Sequence, residues 1–204
     1  MKDAKIAGIF PTPVYLSKLN RKFTKKELSL INKCKVDSHN NVGNVGSNEN
    51  YILNHDIFNN LKKEIDLKVK DYFKKVICIT DEVTPYITQS WLNFTETNQF
   101  HHKHEHPNSL VSGVLYINCD KEFDKIKFFN NEYKIIKPEV KEWNLWNSES
   151  WWFPVKTGDL ILFPSSLTHT VEAKEGTNTR ISLAFNTFVK GVIGNNRGLT
   201  ELKL

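Results

Sequence analysis

The second half of the chain is a succession of short segments rich in β-branched and aromatic residues. Turn signals separate these segments, among them Lys156-Thr157-Gly158-Asp159 and Glu175-Gly176-Thr177-Asn178. Segments of this length and composition predict strands rather than helices, so we expect about eight short strands within roughly 110 residues. The predicted strands are Pro85–Phe94, Leu110–Asn118, Ile126–Phe129, Glu132–Ile136, Trp151–Val155, Asp159–Phe163, His169–Glu172 and Arg180–Phe188.

The first part of the chain predicts two helices. Thr24 and Glu27 have the spacing of a capping box, and we assign the buried side of the helix that follows to Leu28 and Ile31. From about Asp56 to Val76, apolar residues recur at helical spacing with lysines opposite them. The second helix is therefore predicted to be amphipathic and to pack on the strands.

Two other N-terminal segments are not predicted to be helical. Residues 6–16 are apolar but contain Pro11 and Pro13, which confine them to an edge strand or an extended entry segment. Residues 35–50 are rich in Asn, Gly and Ser and are predicted to form a loop.

Together these elements predict a mainly β fold with flanking helices. Among all-β solutions, the double-stranded β-helix, or cupin-like jelly roll, accommodates this many short strands best. With 204 residues and 39% hydrophobic content, the chain is long enough for one domain with a sizeable core. No linker or repeat divides it, so we expect a single domain over residues 1–204, with an N-terminal strand and support helices in 1–80 and the jelly-roll core in 81–204.

Location and partners are constrained by what the sequence lacks. No apolar run reaches the roughly 18 residues of a transmembrane helix, and no signal-peptide pattern begins the chain. Cys34, Cys78 and Cys119 have no metal-like spacing and are typical of reduced thiols. We expect a cytoplasmic protein without a membrane partner. The net charge of +5 comes from dispersed lysines, which favour solvated helix faces and leave nucleic acid a less favoured partner.

Four of the seven histidines lie within six residues, at positions 101, 102, 104 and 106. Residues two apart on a strand face the same way, so His102, His104 and His106 are expected to share one face and His101 to point away. A third ligand must come from a distant strand, and His169 is the candidate. Imidazole suits iron, copper, zinc and nickel. The alternative is a solvated histidine-rich loop that binds metal adventitiously.

Arg180 and Ser182 follow His169 on the next predicted strand and share one of its faces. A guanidinium with a hydroxyl beside it can hold a carboxylate in a fixed geometry that lysine does not match. The same pocket wall would then offer a metal ligand and a carboxylate clamp, which predicts a small dicarboxylic or keto-acid ligand. The alternative for Arg180 alone is an ordinary surface arginine.

The combined pattern resembles a known family. The order and spacing of His104-x-His106, His169 and Arg180-x-Ser182 are similar to those of the 2-oxoglutarate- and Fe(II)-dependent dioxygenases. More narrowly, the chain is similar to oxygenases of bacteria and their phages that are distantly related to prolyl 4-hydroxylases. The resemblance covers nearly the whole chain, and its further matching stretches are 9–14, 104–109, 112–117, 154–165 and 180–186.

The resemblance implies a metal site and a cosubstrate site. Fe(II) would be held by His104, His106 and His169. The cosubstrate 2-oxoglutarate would pair through its distal carboxylate with Arg180, and other residues would support it with hydrogen bonds. The cosubstrate-binding residues implied in this way are Arg180, Tyr116, Ser182, Asn93 and Ser112.

One position departs from the family pattern. Most members have an acidic residue where this chain has His106, so that two imidazoles and one carboxylate bind the metal. Glu105 is expected to point to the opposite side of the strand. Three neutral imidazoles leave the metal site one charge unit more positive than two imidazoles and a carboxylate would. His102 is a candidate fourth ligand or outer residue.

The implied activity is that of a hydroxylase that converts 2-oxoglutarate to succinate and CO2. Its substrate, a protein side chain or a small molecule, is not identified by the sequence. Two alternatives stay open: a cupin-like three-histidine metalloprotein that does not use 2-oxoglutarate, and a non-catalytic binding module. A cluster of tryptophans is interpreted as core or lid of the sheet rather than as a substrate groove. It consists of Trp143, Trp146, Trp151 and Trp152.

The oligomeric state is open, with a homodimer among the options.

Overall fold

The computed structural model describes residues 4–130 and 136–204. Within these residues the chain forms two α-helices and twelve strands. The helices are α1 (Lys25–Val36) and α2 (Asn59–Tyr72), the second entered through 3-10 turns and left through one π turn. The strands are β1 (Tyr15–Lys18), β2 (Ser38–Asn40), β3 (Val45–Ser47), β4 (Val83–Thr95), β5 (His101–His104), β6 (Val111–Asn118), β7 (Lys125–Phe129), β8 (Ser150–Pro154), β9 (Asp159–Pro164), β10 (His169–Val171), β11 (Arg180–Ile193) and β12 (Leu202–Lys203).

The strands form two antiparallel sheets. In the described residues the larger sheet has the order β1-β9-β6-β11-β4-β3-β2, with β12 paired to β11, and the smaller sheet has the order β5-β10-β7-β8. Residues of both sheets meet in one apolar cluster, for example Tyr116 and Phe163 from the larger sheet with Phe128 from the smaller. This is the predicted jelly roll. The strand predicted over Glu132–Ile136 lies, apart from Ile136, outside the described residues.

The larger sheet separates two environments by simple alternation along its strands. On β11, Leu183 and Phe185 are buried in the cluster that includes the helices. Arg180, Ser182 and Ala184 have the opposite parity and line the space between the sheets. One face of β11 therefore belongs to the main hydrophobic core, and the other forms the wall of the candidate site.

Helix α1 begins with the predicted capping box. Thr24 Oγ1 accepts from the Glu27 backbone N–H at 3.2 Å, and Glu27 Oε2 accepts from the Thr24 N–H at 2.7 Å. The buried side of the helix was only partly predicted, because Ile31 is buried whereas Leu28 is 40% exposed. Glu27 occupies the inward position instead, where its carboxylate receives Arg21 Nη2 at 2.7 Å. Its burial is tolerated because it is paired and hydrogen-bonded.

Helix α2 packs on the larger sheet through Leu61, Ile65 and Val69, which are all buried. These positions recur at the helical spacing that predicted an amphipathic helix. Among the residues described, no helix is long and apolar enough to cross a membrane.

The prediction of a loop over residues 35–50 was wrong in part. Strands β2 and β3 form a hairpin there, and β3 pairs with β4 through Val45 opposite Phe94 and Gly46 opposite Asn93. The Asn- and Gly-rich composition reflects the turn of this hairpin. Its position matters for the site because Asn44, at the end of that turn, is carried to the edge of the cavity. The N-terminal strand β1 is an edge strand, as the prolines predicted.

Candidate metal centre

Three histidines that are distant in sequence meet between the sheets. Strands β5 and β10 pair so that His104 lies opposite His169, with ring centroids 4.3 Å apart. His106 lies just beyond β5, where its backbone N–H donates to the Ser165 carbonyl at 3.0 Å. One nitrogen from each of the three rings can be chosen so that all lie within 4.8 Å of one another. The structure thus brings together the three residues predicted as metal ligands.

Hydrogen bonds fix the tautomers of two of these rings. His104 Nδ1 lies 2.7 Å from the carbonyl oxygen of His102, and His169 Nδ1 lies 3.0 Å from that of Leu167. A carbonyl can only accept, so each Nδ1 carries the proton and donates it. Each Nε2 is left with a free lone pair, the arrangement by which metal-binding histidines are usually oriented.

Burial keeps these imidazoles neutral. It lowers the pKa of His169 from 6.5 to about 3, with a further contribution from the neighbouring His104. Burial also lowers the pKa of His106 to about 4, and it lowers the pKa of His104. Since only neutral imidazole binds a metal ion, protons compete weakly for this site near neutral pH.

The expectation that His101 points away from the site was wrong. One residue lies between the paired positions His169 and Val171 on β10, whereas two lie between His104 and His101 on β5. The extra residue is a β-bulge, which breaks the alternation of side chains. Both His101 and His104 therefore face inward, and both line the cavity together with His106 and His169.

His102 and Glu105, the other two residues considered as metal ligands, do not line the cavity. His102 stacks on His101, with ring centroids 5.1 Å apart, and its Nδ1 is buried without a hydrogen-bond partner in the described residues. It does not line the cavity. Glu105 accepts a short hydrogen bond from the Thr168 hydroxyl, outside the His104–His106–His169 group. It points away from that group, as strand geometry predicted.

Beyond the histidines, the cavity is walled by cross-strand rows of the larger sheet. One row pairs Thr95 with Arg180. The next joins Asn93, Ser182 and Tyr116 across β4, β11 and β6, and a third joins Trp91, Ala184 and Val114. Arg180 and Ala184 are four residues apart, so the rows cover about 13 Å of wall. The rows change from polar at Arg180 to apolar at Trp91, against which the His106 ring packs at 5.7 Å.

Arg180 is held at the polar end by two buried partners. Its Nη2 donates to Thr95 Oγ1 at 3.1 Å, and its Nη1 lies 3.7 Å from the Asp124 carboxylate. Both side chains of this ion pair are almost completely buried. The guanidinium has five N–H donors, so donors remain for a ligand in the cavity that Arg180 lines.

Two buried polar atoms on the cavity wall have no hydrogen-bond partner among the described residues. They are the Tyr116 hydroxyl and Asn93 Oδ1. Burial raises the pKa of Tyr116, so its hydroxyl keeps its proton and can donate. Buried polar groups without partners are uncommon, and a ligand in the cavity would supply partners for both.

Ser112 was expected to support the same ligand but lies away from it. Its hydroxyl donates to Asn186 Oδ1 at 2.8 Å and lies 2.8 Å from Ser165 Oγ. It is four residues from Tyr116 on β6, a separation of about 13 Å along the strand. Ser112 shares the parity of Tyr116 but does not line the cavity. Its hydroxyl instead belongs to a local network between β6, β9 and β11.

The tryptophan cluster does not fill the core. Its members are all exposed, from 37% for Trp151 to 63% for Trp143, and none lines the cavity. The tryptophan that does line it is Trp91, which the sequence placed inside an unremarkable predicted strand. Its inward position follows from its place in the alternation of β4, two residues before Asn93.

The donor set suits a divalent transition metal. Three neutral imidazoles converge, two with a free Nε2, and nothing in the group is a thiolate or carboxylate. A buried arginine and two unpaired polar atoms lie along the same cavity. The arrangement can bind a metal ion at one end and an anionic oxygen-rich ligand between the metal and Arg180.

Residues 89–186 match a family described as "Putative 2OG-Fe(II) oxygenase". No curated protein sequence matches the chain. Among solved structures, a prolyl-4-hydroxylase from Pseudomonas putida is similar over 86% of this chain and 92% of its own, with 12% sequence identity and a TM-score of 0.54. HygX from Streptomyces hygroscopicus, solved with nickel, 2-oxoglutarate and hygromycin B, is similar over 86% of this chain and 82% of its own, with 13% identity and a TM-score of 0.56. The α-ketoglutarate-dependent epimerase SnoN from nogalamycin biosynthesis is similar over 88% of this chain and 81% of its own, with 9% identity and a TM-score of 0.59.

These matches confirm the resemblance that the motifs indicated. The structural likeness concerns the fold, which is the jelly roll in each case. The sequence match spans all eight predicted site residues, from Asn93 to Ser182. Asn44, which reaches the cavity edge from the β2–β3 hairpin, lies outside it.

Proposed function

Since residues 89–186 match this oxygenase family, we propose that the protein is a 2-oxoglutarate- and Fe(II)-dependent oxygenase. The observation that carries the proposal is a single cavity lined by a histidine triad and by a buried arginine. The triad, His104, His106 and His169, would hold Fe(II). Arg180 would pair with the distal carboxylate of 2-oxoglutarate, because a guanidinium forms paired hydrogen bonds with carboxylates.

The remaining wall residues would position the cosubstrate. The Tyr116 hydroxyl donates to the same carboxylate, and Asn93 and Ser182 offer polar atoms in the adjacent row. The apolar row at Trp91 limits the access of water to the metal. When bound, iron and 2-oxoglutarate would together use dioxygen to oxidise a substrate C–H bond, with release of succinate and CO2.

The reaction that we propose is hydroxylation of a protein side chain or small molecule. The fold also hosts other outcomes, since SnoN is described as an epimerase. What distinguishes them is the substrate held near the metal, not the way the metal is held. Formation of a hydroxylated product is therefore a separate test from formation of succinate.

A second candidate function is supported by His106. Where most of the family has a carboxylate, this chain presents a neutral imidazole, so the bound metal keeps one more unit of positive charge. A three-histidine metalloprotein that does not use 2-oxoglutarate would need no more than this group. It would leave the buried Arg180 without a ligand, and for this reason we favour the oxygenase.

The deciding experiment is an anaerobic titration of the iron-loaded protein with 2-oxoglutarate, followed by visible absorption. An oxygenase of this type develops a charge-transfer band when the keto acid chelates Fe(II), and the band should saturate. Arg180→Ala should shift the titration to much higher concentrations while leaving iron binding intact. If the wild-type protein binds iron without any band, the second candidate is correct. If it binds no iron at all, a non-catalytic binding module remains.

We also propose a cytoplasmic location. The supporting observation is that Cys34, Cys78 and Cys119 are all free thiols, which persist in reducing compartments. Reaction of the denatured protein with a thiol reagent, after purification without reductant, should count three free cysteines.

A further inference from the structure

His101 has a different hydrogen-bonding role from the other histidines on the cavity wall. Its ring lines the cavity and lies 4.6 Å from the His104 ring, centroid to centroid. It also contacts Asn44, which donates to the same Thr95 hydroxyl as Arg180. His101 therefore stands beside the stretch of cavity that joins the metal-binding histidines to the carboxylate-binding arginine.

The partner of its Nδ1 defines what His101 can do. Asn44 Nδ2 lies 3.0 Å from His101 Nδ1 and also donates to Thr95 Oγ1 at 3.3 Å. With the Asn44 amide in this orientation its nitrogen can only donate, so Nδ1 accepts and the ring proton is on Nε2. This is the opposite tautomer to that of His104 and His169, whose Nδ1 atoms donate to carbonyls.

The tautomer of His101 argues against a second metal site in the histidine cluster. His101, His102 and His104 have ring nitrogens within 4.8 Å of one another and could be taken as a second metal site. His104 has only one free lone pair, on Nε2, because its Nδ1 proton is donated to the His102 carbonyl. That lone pair is directed to one ion, and His106 and His169 already complete a group around it. His101, with Nε2 protonated, adds no lone pair.

We propose that His101 is a cosubstrate-binding residue whose Nε2–H donates a hydrogen bond to an oxygen of the anionic ligand held between the metal and Arg180. This proposal rests on the proposed function. The hydrogen bonds link His101 through Asn44 and Thr95 to Arg180, so one chain of polar contacts orients two donors that serve the same ligand.

The test uses the full-length protein loaded with Zn(II), which binds imidazoles without redox chemistry. Calorimetry measures first the Zn(II) affinity and then the 2-oxoglutarate affinity of the loaded protein. We expect His101→Leu to bind Zn(II) within about threefold of wild type and to bind 2-oxoglutarate at least about tenfold more weakly, as loss of a hydrogen bond to a charged group predicts. His101→Gln, whose amide can place an N–H near the Nε2 position, should recover most of that loss. His102→Gln is the matched control and should behave as wild type.

The outcomes separate the possibilities. Loss of Zn(II) binding in His101→Leu would make His101 a metal ligand, as it would be if the Asn44 amide were reversed, and would overturn the proposal. Unchanged affinity for both ligands would also overturn it. Failure of the wild-type protein to bind 2-oxoglutarate would refute the proposed function itself. Should His101→Leu not fold, long-range 15N–1H spectra of the wild-type histidine rings decide the matter, since a proton on Nδ1 of His101 contradicts the proposal.

Discussion

His104 and His169 are oriented by the same type of local hydrogen bond on two different strands. Each ring donates its Nδ1 proton to the carbonyl two residues earlier in the chain, at 2.7 Å to His102 and at 3.0 Å to Leu167. The two strands then pair so that these residues are directly opposite, with ring centroids 4.3 Å apart. Two free Nε2 lone pairs thus converge before any metal is bound, and this preorganisation reduces the cost of binding one.

Removing either of these rings should abolish tight metal binding. We expect His104→Ala and His169→Ala to weaken Zn(II) binding by well over the ~10–100-fold that loss of an outer hydrogen-bonding partner alone costs. His55→Ala, at an exposed histidine that does not line the cavity, is the control. Calorimetry with Zn(II) measures all three. Tight binding in either cavity variant would mean that the triad is not the metal site.

The metal-free protein should lose stability as the pH falls below about 6.5. Folded His101 and His169 have a pKa of about 3 and His106 one of about 4, against 6.5 for the ordinary group. Below pH 6.5 the unfolded chain therefore binds protons that the folded chain does not. Each such histidine then removes up to about 1.4 kcal/mol of unfolding free energy per pH unit, and the stability is fully present above pH 6.5.

Urea denaturation of the metal-free protein at pH 7, 6 and 5 measures this dependence. The carboxylates with lowered pKa, among them Glu96 and Glu172, act only below the ordinary value of 4.5 and do not interfere in this range. His169→Phe should show a shallower slope than wild type. A wild-type free energy that is flat between pH 7 and 5 would contradict burial of neutral imidazoles.

Tyr116→Phe should separate ligand binding from folding. The Tyr116 hydroxyl is buried without a hydrogen-bond partner in the described residues, so its removal should leave the unfolding free energy unchanged or slightly higher. Affinity for 2-oxoglutarate should fall by about tenfold, because a hydrogen bond to a carboxylate is lost. Thermal denaturation and the anaerobic titration provide the two readouts. A variant that is destabilised but binds 2-oxoglutarate normally would place the hydroxyl in the fold rather than in the site.

Asp124→Asn should have opposite effects on stability and on binding. Asp124 lies 3.7 Å from Arg180 with both side chains buried, so its charge offsets that of the guanidinium when no ligand is present. Neutralising it leaves a buried cation unpaired, which we expect to cost on the order of 3 kcal/mol. The same change removes a competitor of the ligand carboxylate and should tighten 2-oxoglutarate binding. Denaturation and calorimetry test both halves, and weaker binding in the variant would contradict the second.

Gly113→Ala should destabilise the fold without involving the ligand. A Cβ at this position would lie 2.2 Å from Phe185 Cζ and 2.7 Å from Leu162 Cδ2, so both core side chains must move. Overpacking of this kind costs about 1–3 kcal/mol. Gly198→Ala, where the nearest atom lies 3.7 Å from the added carbon, is the control. Equal urea midpoints for the two variants would show that Phe185 and Leu162 can move aside at little cost in stability.

The alternation of inward and outward residues made most of the site predictable. His169, Arg180 and Ser182 keep the parity of regular strands, and their facing positions follow from spacing alone. Ser112 also keeps the parity of Tyr116, yet lies too far along β6 to reach the cavity. Spacing within a strand predicts a face, but the pairing register decides which part of that face borders the cavity.

His101 and Asn44 could not be placed from the sequence for two different physical reasons. The face of His101 depends on a bulge, which inserts one residue into β5 without a glycine or proline to indicate it. Asn44 belongs to a hairpin turn whose polar composition predicts a loop equally well. Its contact with His101 spans 57 positions in the sequence, and it depends on the pairing of β3 with β4 and on the hydrogen bond from the Phe100 N–H to the Gly43 carbonyl.

The bulge in β5 also sets how this protein tolerates changes in length. Lys103 lies in the bulged stretch, with Nζ 4.1 Å from the centre of the Phe129 ring, on the outer surface. Substituting it would alter only that surface contact. Deleting it would leave His101 and His104 two positions apart, like their partners Val171 and His169, so both rings would keep the cavity face on a regular strand. The bulge therefore tolerates the loss of one codon here, whereas the same loss within a regular strand would turn its side chains to the opposite face.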